Sequence, residues 1–587
     1  MRDAFLSLWS RMNPIPVQPA TERTTVQVKW NDGRIFAAPI STTLETFARI
    51  AFPSMCTNAP IVATLLDGRL RELTYTIKRD ADLIPITMSS EDGMRIYRRS
   101  LTFLLVAAAA DLFPEADVFI DHSTSSGGYF CQVRGRENFN DAELKRIADH
   151  IGEMVEQNLP ITKEIIPLKD AVKVFQDRGE IDKVKLLAQR KKDYLVVYRL
   201  RSMVDHFHGY MVPSTGYLKW FGLRSTPDGF ILQFPQRRLP TVIQQLEEHE
   251  RLLFSFREYG EWLNLLGIGD VGSLNEAIQE GRIREIILVA EALHEQRIAH
   301  IASLAARNRN ETRLILIAGP SSSGKTTFSK RLAVQLLANG LHPFALAMDD
   351  YFLDRDKTPK DERGEYDFES VRALDLARFN SDLLDLLNGK EVTLPHYDFI
   401  TGTSGTGETL RLPQNVVIIV EGIHGLNPEL VPNIQRERVL RLYISALTQL
   451  NLDRHNRVST TDTRLIRRIV RDARTRGYTA TDTLRRWDSV RRGETLHIFP
   501  FQENADVMFN SALVYELSVL RTLVEPLLLQ VQADTPEHVE VRRMLALLNW
   551  FQPCEPNTIP DNSILREFVG GSILEKFKLW GMPKNGK

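Results

Sequence analysis

The chain has 587 residues, 43% hydrophobic and 25% charged, and its 74 lysines and arginines balance 75 aspartates and glutamates. This length is too great for one core, and the composition is typical of a globular protein of three or four domains. The balanced charge excludes an overall electrostatic signal for nucleic acid or membrane, and three scattered cysteines, Cys56, Cys131 and Cys554, exclude a disulfide framework.

The apolar stretches do not indicate export or membrane insertion. Residues 4–9 are too short for the core of a signal peptide, and residues 101–110 have about half the length needed to cross a bilayer. We therefore expect a cytoplasmic protein without a membrane anchor. Residues 1–22 are rich in proline and polar residues, which predicts a weakly structured amino-terminal arm.

Residues 23–89 have the pattern of a small β-rich domain. Residues 25–30 alternate as a strand does, Asn31-Asp32-Gly33 is typical of a hairpin turn, and residues 34–39 return as a strand. Residues 43–51 have helical spacing, and Asp67-Gly68 joins two further strands. This order predicts a β-grasp-like fold and resembles the TGS domain, a ubiquitin-like module of threonyl-tRNA synthetases and some GTPases.

Residues 90–233 resemble the second additional domain of threonyl-tRNA synthetase, an α+β domain. The resemblance rests on RSLTFLLVAAAADLFP from Arg99, GGYFCQV near Gly127 and VDHFHGYMVPSTGYLKWF from Val204. In that family the domain removes mischarged amino acid from tRNA, using two histidines four residues apart and a cysteine and histidine four residues apart further on. The four matching positions here hold Arg99, Phe103, Phe207 and Met211. Since Phe and Met neither relay a proton nor ligate zinc, we expect the editing activity to be lost.

His206 and His208 lie beside these positions and suggest a metal site at first sight. No cysteine or carboxylate occurs at matching spacing, so we interpret them as ordinary surface or core histidines. For the editing-like domain we therefore expect either binding of RNA, of an amino acid or of a partner protein, or a purely structural role.

Residues 234–309 have a strongly helical pattern and are interpreted as a connector that packs on the next domain. The first predicted helix has Pro240 near its start, and residues 267–272 interrupt the pattern. Ser273 is the predicted N-cap of the second helix. No catalytic constellation stands out in this segment.

A phosphate-binding loop follows the apolar strand of residues 314–318 and precedes a helical segment. Its residues are Gly319, Pro320, Ser321, Ser322, Ser323, Gly324, Lys325, Thr326 and Thr327. Small residues let backbone amides and the helix N-terminus face anionic phosphates, Lys325 reaches the outer phosphates, and the Thr326 hydroxyl is placed for Mg²⁺. A chance Gly/Ser-rich turn would lack the flanking strand and helix. The loop therefore predicts binding of a nucleoside triphosphate.

Two acids follow predicted strands of the same sheet. Asp349 comes after residues 344–348, and Glu421 comes after residues 416–420. In a doubly wound sheet both would lie at the carboxyl edge beside the phosphates, where an acid can accept a hydroxyl proton or hold Mg²⁺. For Asp349 the alternative is a helix cap or a turn.

Three further segments suit a kinase cleft. The stretches GEYDFESVRALD and LPHYDFITGTSG mix aromatic residues with an acid, which fits stacking of a base and hydrogen bonding of a sugar, although each also fits a loop over the core. A predicted helix over residues 462–477 carries six arginines. Such a helix serves either as a lid over the triphosphate or as a solvated face.

The ordered motifs over residues 310–530 resemble the uridine kinase and phosphoribulokinase family, which implies a P-loop parallel sheet with helices on both faces. The order of domains resembles a bacterial group of uridine kinase-like nucleoside kinases. The resemblance implies that ATP and Mg²⁺ are used, with Asp349 accepting the 5′-hydroxyl proton, Lys325 holding phosphates, and Thr326 and Glu421 serving the metal. It further implies a ribose contact at Asp367, a base site at His396, Tyr397 and Phe399, and a lid of Arg464, Arg468 and Arg471.

One departure leaves the acceptor open. Uridine-cytidine kinases have a histidine soon after the Tyr-x-Phe segment, and here that position falls within Thr401-Gly402-Thr403. We expect a nucleoside 5′-kinase, as a homo-oligomer, whose acceptor is a pyrimidine nucleoside, a purine nucleoside or another sugar alcohol. Two alternatives are a phosphoribulokinase-like sugar-phosphate kinase and a translation-linked regulator with a weak RNA or tRNA contact through residues 23–233. Residues 531–587 are predicted to form a helical extension without an assigned role.

Overall fold

The computed structural model describes residues 23–53, 58–124, 127–245, 250–308, 311–360, 364, 366–398, 401–413 and 416–577. The predicted arm of residues 1–22, Cys56 and Phe399 lie outside the described residues. Cys131 and Cys554 are free and buried. None of the helices in these ranges combines the length and the apolar character that crossing a membrane requires.

The first described unit is a five-stranded sheet with one helix packed on it. Its elements are β1 (Thr25–Trp30), β2 (Ile35–Pro39), α1 (Leu44–Ala51), β3 (Ile61–Leu66), β4 (Arg69–Glu72) and β5 (Ala81–Thr87). The strand order is β2-β1-β5-β3-β4, with the side chain of Thr43 capping α1. The alternating residues of β1 bury Val26, Val28 and Trp30 against Phe47. The two hairpins predicted from the sequence are present.

The second unit combines two antiparallel sheets with helices. Its elements are α2 (Glu91–Leu112), β6 (Asp117–Thr124), β7 (Gly128–Arg134), α3 (Asp141–Glu156), β8 (Thr162–Pro167), α4 (Leu168–Asp177), α5 (Ile181–Ala188), β9 (Tyr194–Leu200), β10 (Met203–Asp205), β11 (Gly222–Thr226) and β12 (Gly229–Gln233). The sheets have the orders β11-β12-β7-β6 and β10-β9-β8. Helix α2 supplies the centre of the core, because residues 100–109 are all buried.

The connector has three described helices, α6 (Glu250–Leu265), α7 (Val271–Gln279) and α8 (Ile283–Arg307). The prediction of a helix starting near Pro240 is wrong, because residues 239–245 form a turn and irregular backbone. The N-cap prediction is also wrong: Asp270 caps α7, and the backbone amide of Ser273 donates to its Oδ1 at 2.7 Å. Asp270 has the extended backbone of a cap, whereas Ser273 lies in the first turn and supplies the donor.

The third unit contains a five-stranded parallel sheet in the order β14-β17-β13-β18-β19. Its elements are β13 (Leu314–Ala318), α9 (Lys325–Ala338), β14 (His342–Ala347), α10 (Leu376–Leu387), β15 (Glu391–Asp398), β16 (Thr403–Arg411), β17 (Val416–Glu421), β18 (Val439–Ser445), α11 (Thr460–Thr475), α12 (Ala480–His497), β19 (Val507–Asn510) and α13 (Glu516–Leu528). Every residue of β13 is buried, as expected for a central strand covered on both faces. Strands β15 and β16 form a separate hairpin.

The remaining helices are α14 (His538–Leu548) and α15 (Arg566–Val569). They pack on the third unit rather than extending away from it, because Met544, Ile564, Leu565 and Phe568 join the same apolar cluster as Phe328 of α9. The cluster also takes in Ile298 of α8. Connector, parallel sheet and carboxyl-terminal residues therefore share one core, and the multidomain α/β architecture expected from the sequence is confirmed.

Candidate active site

The phosphate-binding loop joins the end of β13 to the start of α9. A side chain on Gly319 would place its Cβ 2.0 Å from the carbonyl oxygen of Ile444, and Gly324 has a φ of +89°. Both positions therefore require glycine. The hydroxyls of Ser322 and Ser323 are buried without a hydrogen-bond partner, which suits a loop built to surround phosphate oxygens.

Lys325 turns back over its own loop. Its ammonium donates to the carbonyl oxygens of Gly319 at 2.9 Å and Pro320 at 3.1 Å. Burial lowers the pKa of Lys325, and the carboxylates of Glu421 and Glu567 oppose this shift. The lysine thus lies at the centre of the loop with acids around it, where it can reach the outer phosphates of a bound nucleotide.

The acid that follows β17 meets the loop at its threonine. The hydroxyl of Thr326 donates to Oε1 of Glu421 at 2.8 Å. Burial raises the pKa of Glu421, while Lys325 lowers it. In the part of the chain that the structure describes, no three His, Cys, Asp or Glu side chains gather as a metal site. One carboxylate and one hydroxyl beside bound phosphates are nevertheless the donors that Mg²⁺ uses in kinases, so Thr326 and Glu421 fit the metal.

The two neighbouring aspartates after β14 face different partners. They lie on one 3₁₀ turn, Met348–Tyr351. Burial raises the pKa of Asp349, Lys325 lowers it, and the net shift is upward. Asp350 instead accepts from the backbone amide of Tyr397 at 3.2 Å and lies 3.0 Å from Nδ1 of His396. Asp349 is therefore the acid on the lysine side, and Asp350 fastens the hairpin of β15.

The residues expected to hold the acceptor occupy one side of the cleft. Asp367 accepts from the backbone amide of Glu369 at 3.1 Å, and its carboxylate lies 3.6 Å from Nε2 of His497. Tyr397 is only 4% exposed and packs on Phe352, with ring centroids 5.6 Å apart. The side chain of His396 is 69% exposed. The buried ring of Tyr397 forms part of the wall and offers little face to a ligand.

The two most deeply buried arginines of α11 are paired with carboxylates of the chain itself. Arg464 and Arg467 are 1% and 0% exposed, which contradicts a solvated helix face at these positions. Arg464 pairs with Glu494 and donates to the Ser321 carbonyl at 3.1 Å, and Arg467 pairs with Glu516 at 2.6 Å. The charges of Arg464 and Arg467 are thus compensated before any phosphate binds.

Two of the proposed lid arginines are less deeply buried. The side chains of Arg468 and Arg471 are 11% and 15% exposed, and both pair with Asp472. Arg468 also donates to the Ser321 hydroxyl at 2.7 Å. Helix α11 therefore lies directly on the phosphate-binding loop, with Arg468 against its first serine.

Sequence reasoning missed two acids that contact the loop. Glu494 of α12 accepts from the backbone amide of Ser321 at 3.0 Å, and Glu567 of α15 accepts from that of Thr327 at 3.0 Å. An acid one helical turn after Arg491 was a signal for Glu494, because Arg491 pairs with it at 3.1 Å. No sequence signal pointed to Glu567.

A buried histidine beside the acceptor region was also missed. His424 is 3% exposed, its Nδ1 has no hydrogen-bond partner, and its ring centroid lies 6.2 Å from that of His497. Burial lowers the pKa of His424 to about 4, and the neighbouring His497 adds to the shift. His424 is therefore neutral at physiological pH.

The four positions that would carry editing chemistry are packed as core. Arg99 donates to the carbonyl oxygen of Tyr210 at 2.7 Å, and Met211 is 2% exposed. The rings of Phe103 and Phe207 lie 5.2 Å apart, and Phe207 stacks on His455 of the third unit at 6.1 Å. Side chains of this protein thus fill the space around these four positions.

The two neighbouring histidines have ordinary core partners. Nδ1 of His206 lies 2.8 Å from the carbonyl oxygen of Val196, and Nδ1 of His208 accepts from the indole of Trp550 at 3.2 Å. Burial lowers the pKa of His206 to about 4 and that of His208 to about 3. These contacts agree with the interpretation of both as core residues.

A buried loop, residues 447–458, anchors the third unit in the editing-like domain, and we call it the anchor loop. Asn451 donates to the carbonyl oxygens of Ile120 at 3.0 Å and Asp121 at 2.9 Å. Nδ1 of His455 lies 2.7 Å from Asp205, which also forms an ion pair with buried Lys183. The anchor loop ends immediately before α11, so the editing-like domain holds the base of the arginine helix.

Comparisons with known proteins match the two parts of the chain separately. Residues 314–518 match the model of the Phosphoribulokinase / Uridine kinase family. The amino-terminal region matches threonine–tRNA ligases, for example that of Legionella pneumophila, 35% identical over 262 residues, which covers 42% of this chain and 40% of the relative. The chain thus spans about 40% of the length of the curated relatives it matches. Both resemblances drawn from the sequence are confirmed.

Solved structures similar to the chain include two kinases. One is described as a possible uridine kinase from Bacillus stearothermophilus, 22% identical, covering 36% of this chain and 97% of that chain with a TM-score of 0.25. The other is phosphoribulokinase from Rhodobacter spheroides, 16% identical, covering 34% of this chain and 70% of that chain with a TM-score of 0.23. The family match and the parallel sheet support a P-loop kinase domain.

Proposed function

We propose that the domain matching the Phosphoribulokinase / Uridine kinase family transfers the γ-phosphoryl group of ATP to the 5′-hydroxyl of a nucleoside. The observation that carries the proposal is the grouping of Asp349, Lys325 and the Thr326–Glu421 pair around one phosphate-binding loop. Phosphoryl transfer requires these parts: a positioned base, a cation at the outer phosphates and donors for the metal.

The proposed roles follow from the contacts of each side chain. Lys325 leaves its two carbonyl partners and binds the outer phosphates, while Asp349 accepts the proton of the attacking hydroxyl. The raised pKa of Asp349 makes it a stronger base than an ordinary aspartate. When bound beside Thr326 and Glu421, Mg²⁺ supplies charge neutralisation at the phosphates.

The lid role is assigned to the less buried arginines. Arg468 and Arg471 lie at the surface of α11 that faces the loop, and they exchange Asp472 for phosphate oxygens when nucleotide enters. Arg464 is committed to Glu494 by a buried ion pair. Its role is to hold α11 and α12 together above Ser321, and it joins the lid only if that pair opens.

A base-bearing acceptor is supported by the exposed aromatic rings near Asp367. Tyr366 and Phe368 are each 40% exposed and lie 6.1 Å apart, and Phe368 contacts Phe352. These rings can stack on a planar base while Asp367 binds a sugar hydroxyl. A sugar phosphate remains the second candidate, because the name of the matching family includes phosphoribulokinase and the same catalytic groups serve both acceptors.

The proposal includes an editing-like domain without hydrolytic activity. The packing of Phe103, Phe207 and Met211 supports it, since none of these side chains can activate water. The ring nitrogens of His455, which stacks on Phe207, are both engaged, by Asp205 at 2.7 Å and by the carbonyl oxygen of Val118 at 3.2 Å. Homo-oligomer formation and a weak RNA contact through residues 23–233 stay predictions. A regulator that uses the nucleotide site as a switch would not require the raised pKa of Asp349.

The test is a substrate panel on the purified protein. Mg-ATP is supplied with pyrimidine nucleosides, purine nucleosides and small phosphorylated sugars, and monophosphate products are measured by mass spectrometry. We expect a nucleoside 5′-monophosphate, and Asp349→Asn should lower turnover by about 100-fold or more while ATP still binds. Asp350→Asn is the matched control and keeps most activity. Absence of any product, or a fully active Asp349→Asn variant, would contradict the proposal.

A further inference from the structure

The amides at both ends of the phosphate-binding loop donate to glutamates of the chain. Ser321 donates to Glu494 at one end, and Thr327 in the first turn of α9 donates to Glu567 at the other, each at 3.0 Å. Backbone amides of the loop and of the first helical turn are the groups that bind nucleotide phosphates. A carboxylate on such an amide takes a position that a phosphate oxygen would take.

Glu567 belongs to residues 559–577, a segment that we call the strap. Three of its apolar side chains, Ile564, Leu565 and Phe568, are completely buried. Ile564 lies directly against Gly324, since a Cβ on that glycine would be 2.4 Å from Cγ2 of Ile564. The strap thus covers the start of α9 with apolar contacts and places its carboxylate on the helix.

Cations on α9 and α11 hold the strap through its backbone. Lys330 donates to the carbonyl oxygen of Leu574 at 2.8 Å, and Arg474 donates to that of Phe568 at 3.2 Å. The guanidinium of Arg467 lies 5.0 Å from the ring centroid of Phe568. None of these contacts is an ion pair with a strap carboxylate, so displacement of the strap leaves no buried charge unpaired, and its cost is the exposure of the three apolar side chains.

Charge makes the strap and a nucleotide mutually exclusive at Thr327. The Lys325 ammonium is the cation at the centre of the loop, and Glu421 and Glu567 both influence it. A phosphate brought to the Thr327 amide would meet the Glu567 carboxylate at van der Waals distance with a like charge. One of the two must leave.

We propose that the strap is an autoinhibitory element that occupies the phosphate-binding amide of Thr327 through Glu567 until nucleotide displaces it. The inference deepens the proposed function, because it concerns the regulation of the same nucleotide site. It gives the carboxyl-terminal residues a role in setting the affinity of the kinase for ATP. Glu494 contacts the other end of the loop but is fixed by two arginines, so Glu567 is the movable acid.

Nucleotide binding to the full chain tests the proposal. Isothermal titration with Mg-ADP and with Mg-ATP is performed on the wild type, on Glu567→Ala and Glu567→Gln, and on Glu575→Ala as a control for an exposed glutamate of the same segment. Loss of a charge-assisted hydrogen bond that competes with nucleotide should tighten binding about 10- to 100-fold in Glu567→Ala. Glu567→Gln should gain less, because its amide oxygen still accepts, and Glu575→Ala should match the wild type.

Hydrogen exchange gives a second readout that does not depend on a substitution. Saturating Mg-ADP should increase amide exchange over residues 559–577 in the wild type. The proposal would be overturned by any of three results. These are unchanged or weaker nucleotide binding by Glu567→Ala, slower amide exchange in the strap when nucleotide is bound, and absence of nucleotide binding to every variant. Tighter binding in Glu567→Ala without turnover on any acceptor would support the strap and contradict the kinase assignment. Turnover on an acceptor together with unaltered nucleotide affinity in Glu567→Ala would contradict the autoinhibitory role of the strap and leave the kinase assignment intact.

Discussion

The phosphate-binding loop differs from the region around Arg99, Phe103, Phe207 and Met211, which we call the editing-like cleft, in how its side chains are satisfied. In the loop, Ser322 and Ser323 keep buried hydroxyls without partners, and Lys325 binds only carbonyl oxygens that it can exchange. In the cleft, Phe103 and Phe207 pack together and His455 covers them. The polar groups of the loop are therefore available to a ligand, whereas the side chains of the editing-like cleft pack against other parts of the protein.

The two regions are joined by the anchor loop. It begins after β18, contacts the editing-like domain through Asn451 and His455, and ends at α11, which rests on Ser321 of the phosphate-binding loop. The editing-like cleft therefore has a structural use in holding the arginine helix. Substitutions in the editing-like cleft are therefore expected to lower the free energy of unfolding, whereas substitutions in the phosphate-binding loop are expected to lower kcat.

The largest effect on the cleft is expected from Asp205→Asn. Burial alone would raise the pKa of Asp205, but Lys183 and His455 outweigh it and hold its pKa below the usual range. Removing this carboxylate leaves the buried Lys183 ammonium without its main partner, which should cost about 3 to 5 kcal/mol of unfolding free energy. The shift of the denaturant midpoint measures the loss.

Asp80→Asn is the matched control for that variant. Asp80 pairs with Arg23 at the surface of the first unit, where its side chain is 47% exposed. An exposed pair contributes little to stability because solvent screens it, so the control should unfold almost as the wild type does. Equal midpoints for Asp205→Asn and the wild type would show that the anchor loop is not held in the way described.

An intermediate effect is expected from pH on turnover. Asp349 must be ionised to accept a proton, and its pKa is raised by burial. The rate should therefore fall about tenfold per pH unit below a pKa that lies above the ordinary aspartate value of about 3.9. The pH profile of kcat measures this limb. A limb at or below the ordinary value, with ATP saturating and the protein folded, would remove Asp349 from the role of base.

The smallest effect is expected from restoring editing residues. The variant carries four substitutions, Arg99→His, Phe103→His, Phe207→Cys and Met211→His. It should not hydrolyse mischarged aminoacyl-tRNA, because the anchor loop still contacts the editing-like cleft. Deacylation of a radiolabelled aminoacyl-tRNA is the measurement, and the folded fraction is checked by circular dichroism. Recovery of hydrolysis would show that the cleft remains open to substrate.

The sequence was a good guide wherever the determinants are local. The phosphate-binding loop, the acids after β14 and β17, and the Asn31-Asp32-Gly33 hairpin depend on neighbouring residues and are found where expected. Pairing that depends on tertiary contact could not be foreseen. The carboxylates that neutralise Arg464 and Arg467 lie 30 and 49 residues away, and the Glu567 contact spans 240 residues.

The errors in the connector have a similar cause. Proline near a helix start and serine before an apolar run are common helix signals, and they pointed to Pro240 and Ser273. The chain around Pro240 instead forms turns, and Asp270 provides the cap three residues before Ser273. Several positions in this segment are compatible with the start of a helix when only neighbouring residues are considered. The position that is used also depends on tertiary contacts, because α7 packs on α5.

The most direct test of the comparison measures both activities on one preparation of the wild type. Monophosphate formation from Mg-ATP and the nucleoside panel is followed beside hydrolysis of mischarged aminoacyl-tRNA, with Asp349→Asn as the paired control. We expect nucleoside phosphorylation that disappears in Asp349→Asn and no tRNA deacylation by either protein. Deacylation without phosphorylation would contradict it.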